Sequence, residues 1–368
     1  AVSKRVYNEW MPIREDGGKI YRRLALGDLC DVLMLDTRLE GRDVQVSGVS
    51  EGASQASKDS LNDPDRKIMS QTQYDWLTGN IASSTASWRV IGSQVMFTPV
   101  TSHPIDTTYL FNAVGPLLAG LLRPSVPALQ AVFDLAFQGD VWNNYPAQRD
   151  RLASFIRTNR NERSIVVSGD FHTSFAFNGA WPSGPIGLVE FMTPSITSAN
   201  FDENLGLDPL LRSLAPVLIQ TIDTTLRQLN PQLTFNELTQ HGYMIVDVQR
   251  DRVQCDWFYI DTLYIRSNRE AWVRGCTTTG NGMLSPATTP APDKTQQADP
   301  APVDPPLPTS VTDMLQPTVV LLGYGPNPAS NAAYLSFITD REGSASVSMV
   351  NMQGASVELV THAPVFKG

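Results

Sequence analysis

Short apolar segments alternate with stretches of helical periodicity through residues 1–279. Three segments of four or five mostly apolar residues have the length of buried strands: Val32–Leu35, Trp88–Gly92 and Ser164–Ser168. Three others place apolar residues at three- and four-residue steps, which is typical of amphipathic helices: Gln71–Ala82, Ala147–Thr158 and Leu207–Leu229. This alternation predicts a layered α/β domain.

The pattern changes after residue 279. Residues 280–316 contain eight prolines among Thr, Ala, Asp and Gln, which predicts an extended, semi-rigid linker. Residues 317–368 alternate apolar and polar positions, which predicts a small β-sandwich-like module. Its four strand-sized pieces are Thr318–Leu322, Ala333–Phe337, Ala345–Val350 and Ser356–Val360.

Composition and charge limit the function classes. The 368 residues are 42% hydrophobic and 18% charged, as in ordinary globular proteins. With Lys+Arg 28 and Asp+Glu 37 the net charge is −9, so we expect no nucleic-acid binding. A small anionic ester stays possible, because arginines in a cleft set the local field. The absence of a long uninterrupted apolar run predicts no transmembrane segment.

Three cysteines, Cys30, Cys255 and Cys276, are too few for a disulfide scaffold. Their spacing does not match a zinc ribbon or a CxxC redox motif. Two alternatives stay open at this point: Cys255 pairs with Cys276, or all three are small buried apolar residues.

The most suggestive histidine follows a predicted strand. The apolar run 164–168 stops before Gly169, and Asp170 and His172 come directly after it. Side chains two residues apart in extended chain point the same way, at a strand end where α/β sheets bind ligands. Such an oxygen and nitrogen pair suits a metal that polarises a phosphoryl group. The structural alternative is a turn capped by Asp170 beside a half-buried His172.

Two other polar clusters are candidates for the same cleft. Arg38 follows the strand 32–35 and presents a planar guanidinium suited to phosphate, with Asp36 placed to orient it; the alternative is a surface salt bridge. Asp140, Trp142 and Tyr145 form an aromatic and acidic stretch that predicts a cleft wall, unless the rings simply pack. GxGxxG, GxxxxGK[ST] and GxSxG motifs are absent from the sequence.

Seven blocks resemble, in order and spacing, the alkaline phosphatase D (PhoD-like) family over about residues 2–265. They are Val32–Arg42, Gln73–Leu77, Trp88–Phe97, Asp140–Arg149, Ser168–Thr173, Glu190–Ser198 and Asn230–Tyr243. The resemblance implies a calcineurin-like metallophosphoesterase core, with two packed mixed β-sheets flanked by helices. It also implies hydrolysis of phosphomonoesters and phosphodiesters with bound metal ions, of which iron and calcium are typical and zinc or manganese are possible.

The resemblance assigns roles residue by residue. Asp170 and His172 match the family's C-terminal metal-ligand motif, while Arg38, Asp140, Trp142 and Tyr145 match residues around the cleft. The family's upstream Asp-rich ligand motifs are not found in this sequence. We therefore expect the chain to correspond to the C-terminal part of such an enzyme, with association to a separate N-terminal fragment as one possibility.

The tail resembles a type IX secretion C-terminal sorting domain. Its Pro-Asn-Pro segment, Pro326–Pro328, precedes the Asn-x-x-Gly segment Asn351–Gly354 in a β context. The resemblance implies a partner in the secretion machinery and a secreted or cell-surface location. The sequence thus predicts an exported metal-dependent phosphoesterase acting on a small phosphate ester. The alternative is a secreted, catalytically silent surface or binding protein that retains the fold.

Overall fold

The chain forms two compact units, Ala1–Pro292 and Asp293–Gly368. In the first unit, the computed structural model describes residues 2–11, 13, 17–47, 53–159, 162–204, 214–263, 265 and 267–292. In the second it describes residues 293, 319–325, 334–339, 343–350 and 356–365.

The first unit contains helices and strands in alternation. Its helices are α1 Val2–Trp10, α2 Gln55–Leu61, α3 Gln71–Ser83, α4 Thr108–Leu122, α5 Val126–Gln138, α6 Pro146–Asn159, α7 Phe201–Asn204 and α8 Ala215–Leu229. Its strands are β1 Arg22–Leu26, β2 Cys30–Met34, β3 Trp88–Gly92, β4 Ser164–Ser168, β5 Ser174–Phe177, β6 Leu188–Met192, β7 Leu233–Glu237, β8 Gly242–Val248, β9 Val253–Ile260, β10 Glu270–Thr278 and β11 Ser285–Ala287.

Two sheets organise these strands. The larger one has seven strands in the order β1-β2-β3-β4-β6-β5-β7, and its central strands β2, β3, β4 and β6 run parallel. The smaller one has the order β11-β10-β9-β8. The expected α/β fold with two sheets is confirmed. The smaller sheet is wholly antiparallel and not mixed, because short connections join its consecutive strands.

The larger sheet is covered on both faces. One face packs on the smaller sheet through a core that includes Trp88, Ile165, Phe191, Cys255 and Trp257. The other face packs on helices α3, α5, α6 and α8 through a larger apolar cluster. Burial on both faces explains why the parallel strands are continuous apolar runs. The same arrangement places the loops after β2, β3, β4 and β6 along one edge of the sheet, where ligands bind in open α/β sheets.

The strongest sequence patterns match the observed elements closely. Strands β3 and β4 have the predicted bounds, α3 extends one residue beyond its predicted end, and α6 extends one residue beyond its predicted range at each end. Helix α8 begins at Ala215, whereas the pattern predicted a start at Leu207; residues 205–213 lie outside the described residues.

The predicted linker, residues 280–316, was wrong at its start, because a short strand lies within it. Pro286 lies in β11, paired with Cys276, and an edge strand tolerates proline because one side needs no ladder hydrogen bond.

The tail contains the four expected strands: β12 Val319–Gly325, β13 Tyr334–Thr339, β14 Gly343–Val350 and β15 Ser356–Val365. They pair as two separate two-stranded antiparallel sheets, β12 with β13 and β14 with β15. Residues 294–316 of the linker lie outside the described residues, as do Pro326–Pro328 and Asn351–Gly354 of the sorting resemblance.

One segment, Thr108–Gln138, is long and apolar enough to cross a membrane by length and composition. The sequence analysis, which required an uninterrupted apolar run, predicted no such segment. Gly115 interrupts the helix with φ 78° and ψ 168°, directly before Pro116. A 3-10 turn over Arg123–Ser125 then joins α4 to α5.

Candidate active site

The loop after β2 is shaped by a buried carboxylate. Asp36 accepts hydrogen bonds from the backbone N–H groups of Arg38 at 3.0 Å and Leu39 at 2.7 Å. The side-chain amide of Gln73 brackets the same residue, accepting from the N–H of Asp36 at 2.7 Å and donating to its carbonyl at 2.9 Å. Asp36 thus fixes the backbone of Arg38. In the structure its carboxylate therefore orients the arginine through hydrogen bonds to the main chain.

A second amide and a glycine complete the loop. The Gln94 side-chain oxygen accepts from the N–H of Thr37 at 2.6 Å and from its hydroxyl at 2.8 Å. Gly41 has φ 72°, and a Cβ there would lie 2.5 Å from Ser70. Only glycine meets both conditions without displacement of the α3 N-terminus. The Thr37 contacts fix the backbone just before Arg38, and the tight fit at Gly41 fixes the backbone just before Arg42.

The two arginines converge on acidic side chains. The Arg38 guanidinium donates to the carboxylates of both Asp140 and Asp170. Arg42 donates to the other oxygen of Asp140, and its Nε donates to the Tyr145 hydroxyl at 2.9 Å. Burial raises the pKa of Asp140, but hydrogen bonds and charges from Arg38 and Arg42 outweigh burial and hold the pKa below its ordinary value. Asp140 is therefore ionised at neutral pH.

Asp170 and His172 follow β4 in an uncommon backbone conformation. Their φ angles are 68° and 65°, in the left-handed region that residues other than glycine seldom adopt. The expectation that simple strand alternation aligns them was wrong, because the chain is not extended here. Both side chains nevertheless line one cavity. Such strain is often found at functional sites.

Two cavities meet at Asp170. The first, of about 390 Å³, is lined by Asp140, Asp170 and His172 on its polar side and by apolar residues of α5. The second, of about 880 Å³, runs between the two sheets and is lined by Arg38, Ser168 and Thr193 at its polar end. The Arg38–Asp170 ion pair thus lies at the junction, beside the carboxyl ends of the parallel strands.

Trp142 and Tyr145 do not form a cleft wall, because both rings are fully buried at 0% exposure. The Trp142 indole N–H donates to the Ser93 hydroxyl at 3.1 Å, and its ring packs edge-on against Phe97. The Tyr145 hydroxyl donates to the Asp43 carbonyl at 2.8 Å. Of the three residues predicted to line the cleft, Asp140 reaches it, and Tyr145 acts on it through Arg42.

A buried glutamate lies beneath the site and was missed by the sequence analysis. Glu190 on β6 accepts from the Ser168 hydroxyl at 2.5 Å and from the N–H groups of Phe97 at 2.9 Å and Thr98 at 2.6 Å. Burial raises the pKa of this carboxyl, and the three donors oppose that shift. The sequence signal that could have identified Glu190 is that it is the one charged residue within the apolar strand Leu188–Met192. Arg42 and Gln94 were likewise not selected, although both lie in the quoted blocks.

The described residues meet only part of what a metal centre needs. His172 Nδ1 is 2.8 Å from the carbonyl of Ala199, and this kind of contact orients the ring of a metal-binding histidine. Asp170, however, is paired with Arg38. Among the described residues, no group of three or more His, Cys, Asp or Glu side chains is arranged to hold a metal ion. Two donors do not make a metal site unaided, since hard cations take about six ligands.

Comparisons with known proteins agree with this architecture. Alkaline phosphatase D of Bacillus subtilis (strain 168) is 29% identical over 224 residues, which are 58% of this chain and 33% of that protein. A solved structure of PhoD superposes with a TM-score of 0.57 at 22% identity, over 79% of this chain and 49% of that chain. The chain thus spans a third of its curated relative and about half of the solved one. A purple acid phosphatase from yellow lupin seeds gives a TM-score of 0.33, too low for an argument about fold.

A sequence model of the family described as PhoD-like phosphatase matches residues 1–257, well over half of the chain. The superposition on PhoD supports the same fold for the two-sheet unit. The chain belongs to the PhoD-like phosphatase family.

Proposed function

We propose that this chain carries the phosphate-binding side of a phosphoesterase that acts on small phosphomonoesters or phosphodiesters. The observation that carries the proposal is the Arg38 guanidinium, held at the carboxyl edge of the parallel strands where two cavities meet. A planar guanidinium binds phosphoryl oxygens through paired hydrogen bonds. Family membership supports the same reaction class.

The charges around Arg38 determine how strongly the site attracts a phosphate. Arg38 and Arg42 bring two positive charges, and Asp140 and Asp170 bring two negative ones. This cluster is neutral, so it offers an incoming phosphate little net attraction. Additional positive charge near Asp170 would free the Arg38 guanidinium for the substrate. A working site therefore requires cations beyond those of this cluster.

We propose that Asp170 and His172 are two donors of a metal site whose other donors come from outside the described residues. Metal ions in such a site polarise phosphoryl oxygens and lower the pKa of bound water. Iron and calcium are the ions that we expect from the resemblance. A separate N-terminal fragment is one source of the missing donors. Export guided by the tail stays a proposal that rests on the sequence resemblance alone.

The test combines turnover with metal analysis. Hydrolysis of p-nitrophenyl phosphate and of bis(p-nitrophenyl) phosphate is measured before and after chelation and after return of iron and calcium. Arg38→Ala should lower kcat/KM about 10²–10³-fold, the effect of losing one charge-stabilising donor. Arg250→Ala is the matched control, since Arg250 pairs with Asp28 on the exposed surface. Measurable turnover by the wild type that is equally retained in the two variants would overturn the role of Arg38.

The second candidate function is a catalytically silent binding protein. The observation that favours it is that, among the described residues, no group of three or more His, Cys, Asp or Glu side chains is arranged to hold a metal ion. Elemental analysis of the wild-type chain and of His172→Ala distinguishes the two. Metal retained by the wild type and lost in the variant supports the phosphoesterase. Absence of both metal and turnover, also after metal addition, supports the silent protein.

A further inference from the structure

The segment Thr108–Gln138 presents an almost uncharged surface. Its 31 residues include two charged ones, Arg123 and Asp134. Asp134 is buried and accepts from the Ser102 hydroxyl at 2.8 Å and from the Gln130 amide at 2.7 Å. Arg123 is exposed, with its guanidinium 4.4 Å from the centre of the Phe111 ring. The exposed side of this segment therefore carries one charge, a positive one.

Large apolar side chains occupy that exposed side. Leu117 is 85% exposed, Leu121 70%, Leu135 68% and Val132 50%. The other exposed residues between Leu117 and Leu135 are small or apolar except for two polar ones: Gly120, Arg123, Pro124, Ser125, Pro127, Ala128 and Ala131. Contiguous exposed apolar areas of this kind are rare in soluble monomers and mark contact surfaces for proteins or membranes. We call Leu117, Leu121, Val132 and Leu135 the apolar patch.

The apolar patch is continuous with the candidate active site. Val132 and Leu135 line the 390 Å³ cavity whose polar side is Asp140, Asp170 and His172. One helix, α5, thus borders both the exposed surface and the site. A ligand with a phosphate near Arg38 and an apolar chain along α5 would pass from the cleft onto Val132 and Leu135, two of the four residues of the patch. This shared lining favours an amphiphilic occupant.

We propose that Thr108–Gln138 docks on a lipid surface with zwitterionic headgroups, and that the cavity beside α5 takes the apolar part of an amphiphilic phosphate ester. Zwitterionic headgroups fit because an anionic surface would repel the net charge of −9, and the one exposed cation of this segment, Arg123, does not offset that repulsion. Docking is independent of catalysis. The choice of substrate rests on the proposed function.

Vesicle flotation tests the docking. The full chain should float with phosphatidylcholine vesicles, more than with phosphatidylserine vesicles and with little dependence on salt. Leu117→Asp/Leu121→Asp should reduce the floated fraction at least tenfold, since two carboxylates would have to enter the headgroup layer. Ile265→Asp is the matched control, because Ile265 is also 70% exposed but lies between β9 and β10. Circular dichroism melting checks that both variants fold.

Three outcomes would overturn the docking proposal. The wild type does not float, the double variant floats as well as the Ile265 control, or the patch joins proteins instead. The last case is recognised by light scattering after gel filtration: the wild type is an oligomer without lipid, the double variant is a monomer, and neither binds vesicles.

Binding of hexyl phosphate and inorganic phosphate tests the cavity separately by calorimetry. Hexyl phosphate should bind at least tenfold more tightly, and Ala136→Leu, which narrows the cavity, should remove that difference. If inorganic phosphate binds through Arg38 and the hexyl chain adds nothing, the amphiphile proposal fails alone. If Arg38→Ala changes binding of neither compound, the proposed phosphate site fails.

Discussion

The Arg38 guanidinium and the Asp170 carboxylate form an ion pair although 132 positions separate them in the chain. The sheet explains this proximity. Arg38 follows β2 and Asp170 follows β4, and both strands are parallel neighbours of β3. Parallel strands end on the same edge, so the two loops converge there. The pair is thus a consequence of the strand order, and it occupies the Arg38 guanidinium that we propose binds phosphate.

Asp170→Asn should strengthen phosphate binding by this chain while weakening metal binding. The substitution leaves Arg38, Arg42 and Asp140, so the cluster gains a net positive charge. At the partly exposed site this amounts to about 1 kcal/mol, or roughly fivefold in the dissociation constant. Calorimetric titration with inorganic phosphate measures the change.

Asp28→Asn is the control for that titration, because it removes an aspartate paired with arginine on the exposed surface. It alters the net charge of the whole chain by the same amount. Equal tightening in both variants would show that overall charge, and not release of Arg38, governs phosphate binding. No change in Asp170→Asn would refute the neutral-cluster argument.

Asp36→Ala should destabilise the chain, because the backbone N–H groups of Arg38 and Leu39 lose their acceptor. Unsatisfied buried donors cost about 1–3 kcal/mol each, and these two N–H groups are partly buried, so we expect a total loss of about 1–3 kcal/mol in the free energy of unfolding. Urea denaturation measures it. Asp36→Asn keeps one acceptor oxygen and should recover much of the stability. If alanine and asparagine variants are equally unstable, the negative charge of Asp36, and not its hydrogen bonds, stabilises the loop.

The Asp140 carboxylate should make stability depend on pH in the acidic range. Burial raises the pKa of this carboxyl, but Arg38 and Arg42 lower it by more. The pKa in the folded state therefore lies below the ordinary value of 3.8. Stabilisation by the ionised group is therefore complete above pH 3.8 and is lost as the pH falls through the lower pKa of the folded state. For this half-exposed group we expect about 0.5–1 kcal/mol.

Urea unfolding of the wild type and Asp140→Asn at pH 7, 5 and 3 measures that effect. The difference in free energy of unfolding should be largest at pH 7 and 5 and should shrink at pH 3. Asp59→Asn, on the exposed face of α2, serves as control. A wild-type advantage that stays constant down to pH 3 would contradict the ion-pair explanation.

The sequence predicted best what depends on burial pattern alone. Strands β3 and β4 and helices α3 and α6 appeared at nearly the predicted bounds, since continuous apolar runs and 3.6-residue periodicity report burial directly. Strand β11 was missed because a three-residue edge strand containing Pro286 has the composition of a linker. Patterns of this kind carry no information about which edge a short segment pairs with.

The site was harder to predict than the fold. Arg38, Asp140 and Asp170 were selected, and the structure brings them together. Their mutual pairing depends on strand order, which no local motif encodes. The Asp36 carboxylate could bind either a guanidinium or nearby backbone N–H groups, and both arrangements fit the sequence. In the structure it accepts from the N–H groups of Arg38 and Leu39. Nor could it show that Trp142 packs inward, because a Trp beside Asn and Tyr fits both a cleft wall and a loop anchor.

The three cysteines should be unreactive thiols in the folded chain. All three are free and buried in the structure, and Cys255 lies opposite Cys276 on β9 and β10. Burial raises the pKa of Cys30 to about 11 and that of Cys255 and Cys276 above the ordinary value, so little thiolate exists at neutral pH.

Ellman's reagent should label none of the three thiols in buffer and all three in guanidinium chloride without reductant. Ser60→Cys, exposed on α2, should add one rapidly labelled thiol. A single labelled thiol in the denatured wild type would instead reveal a Cys255–Cys276 disulfide.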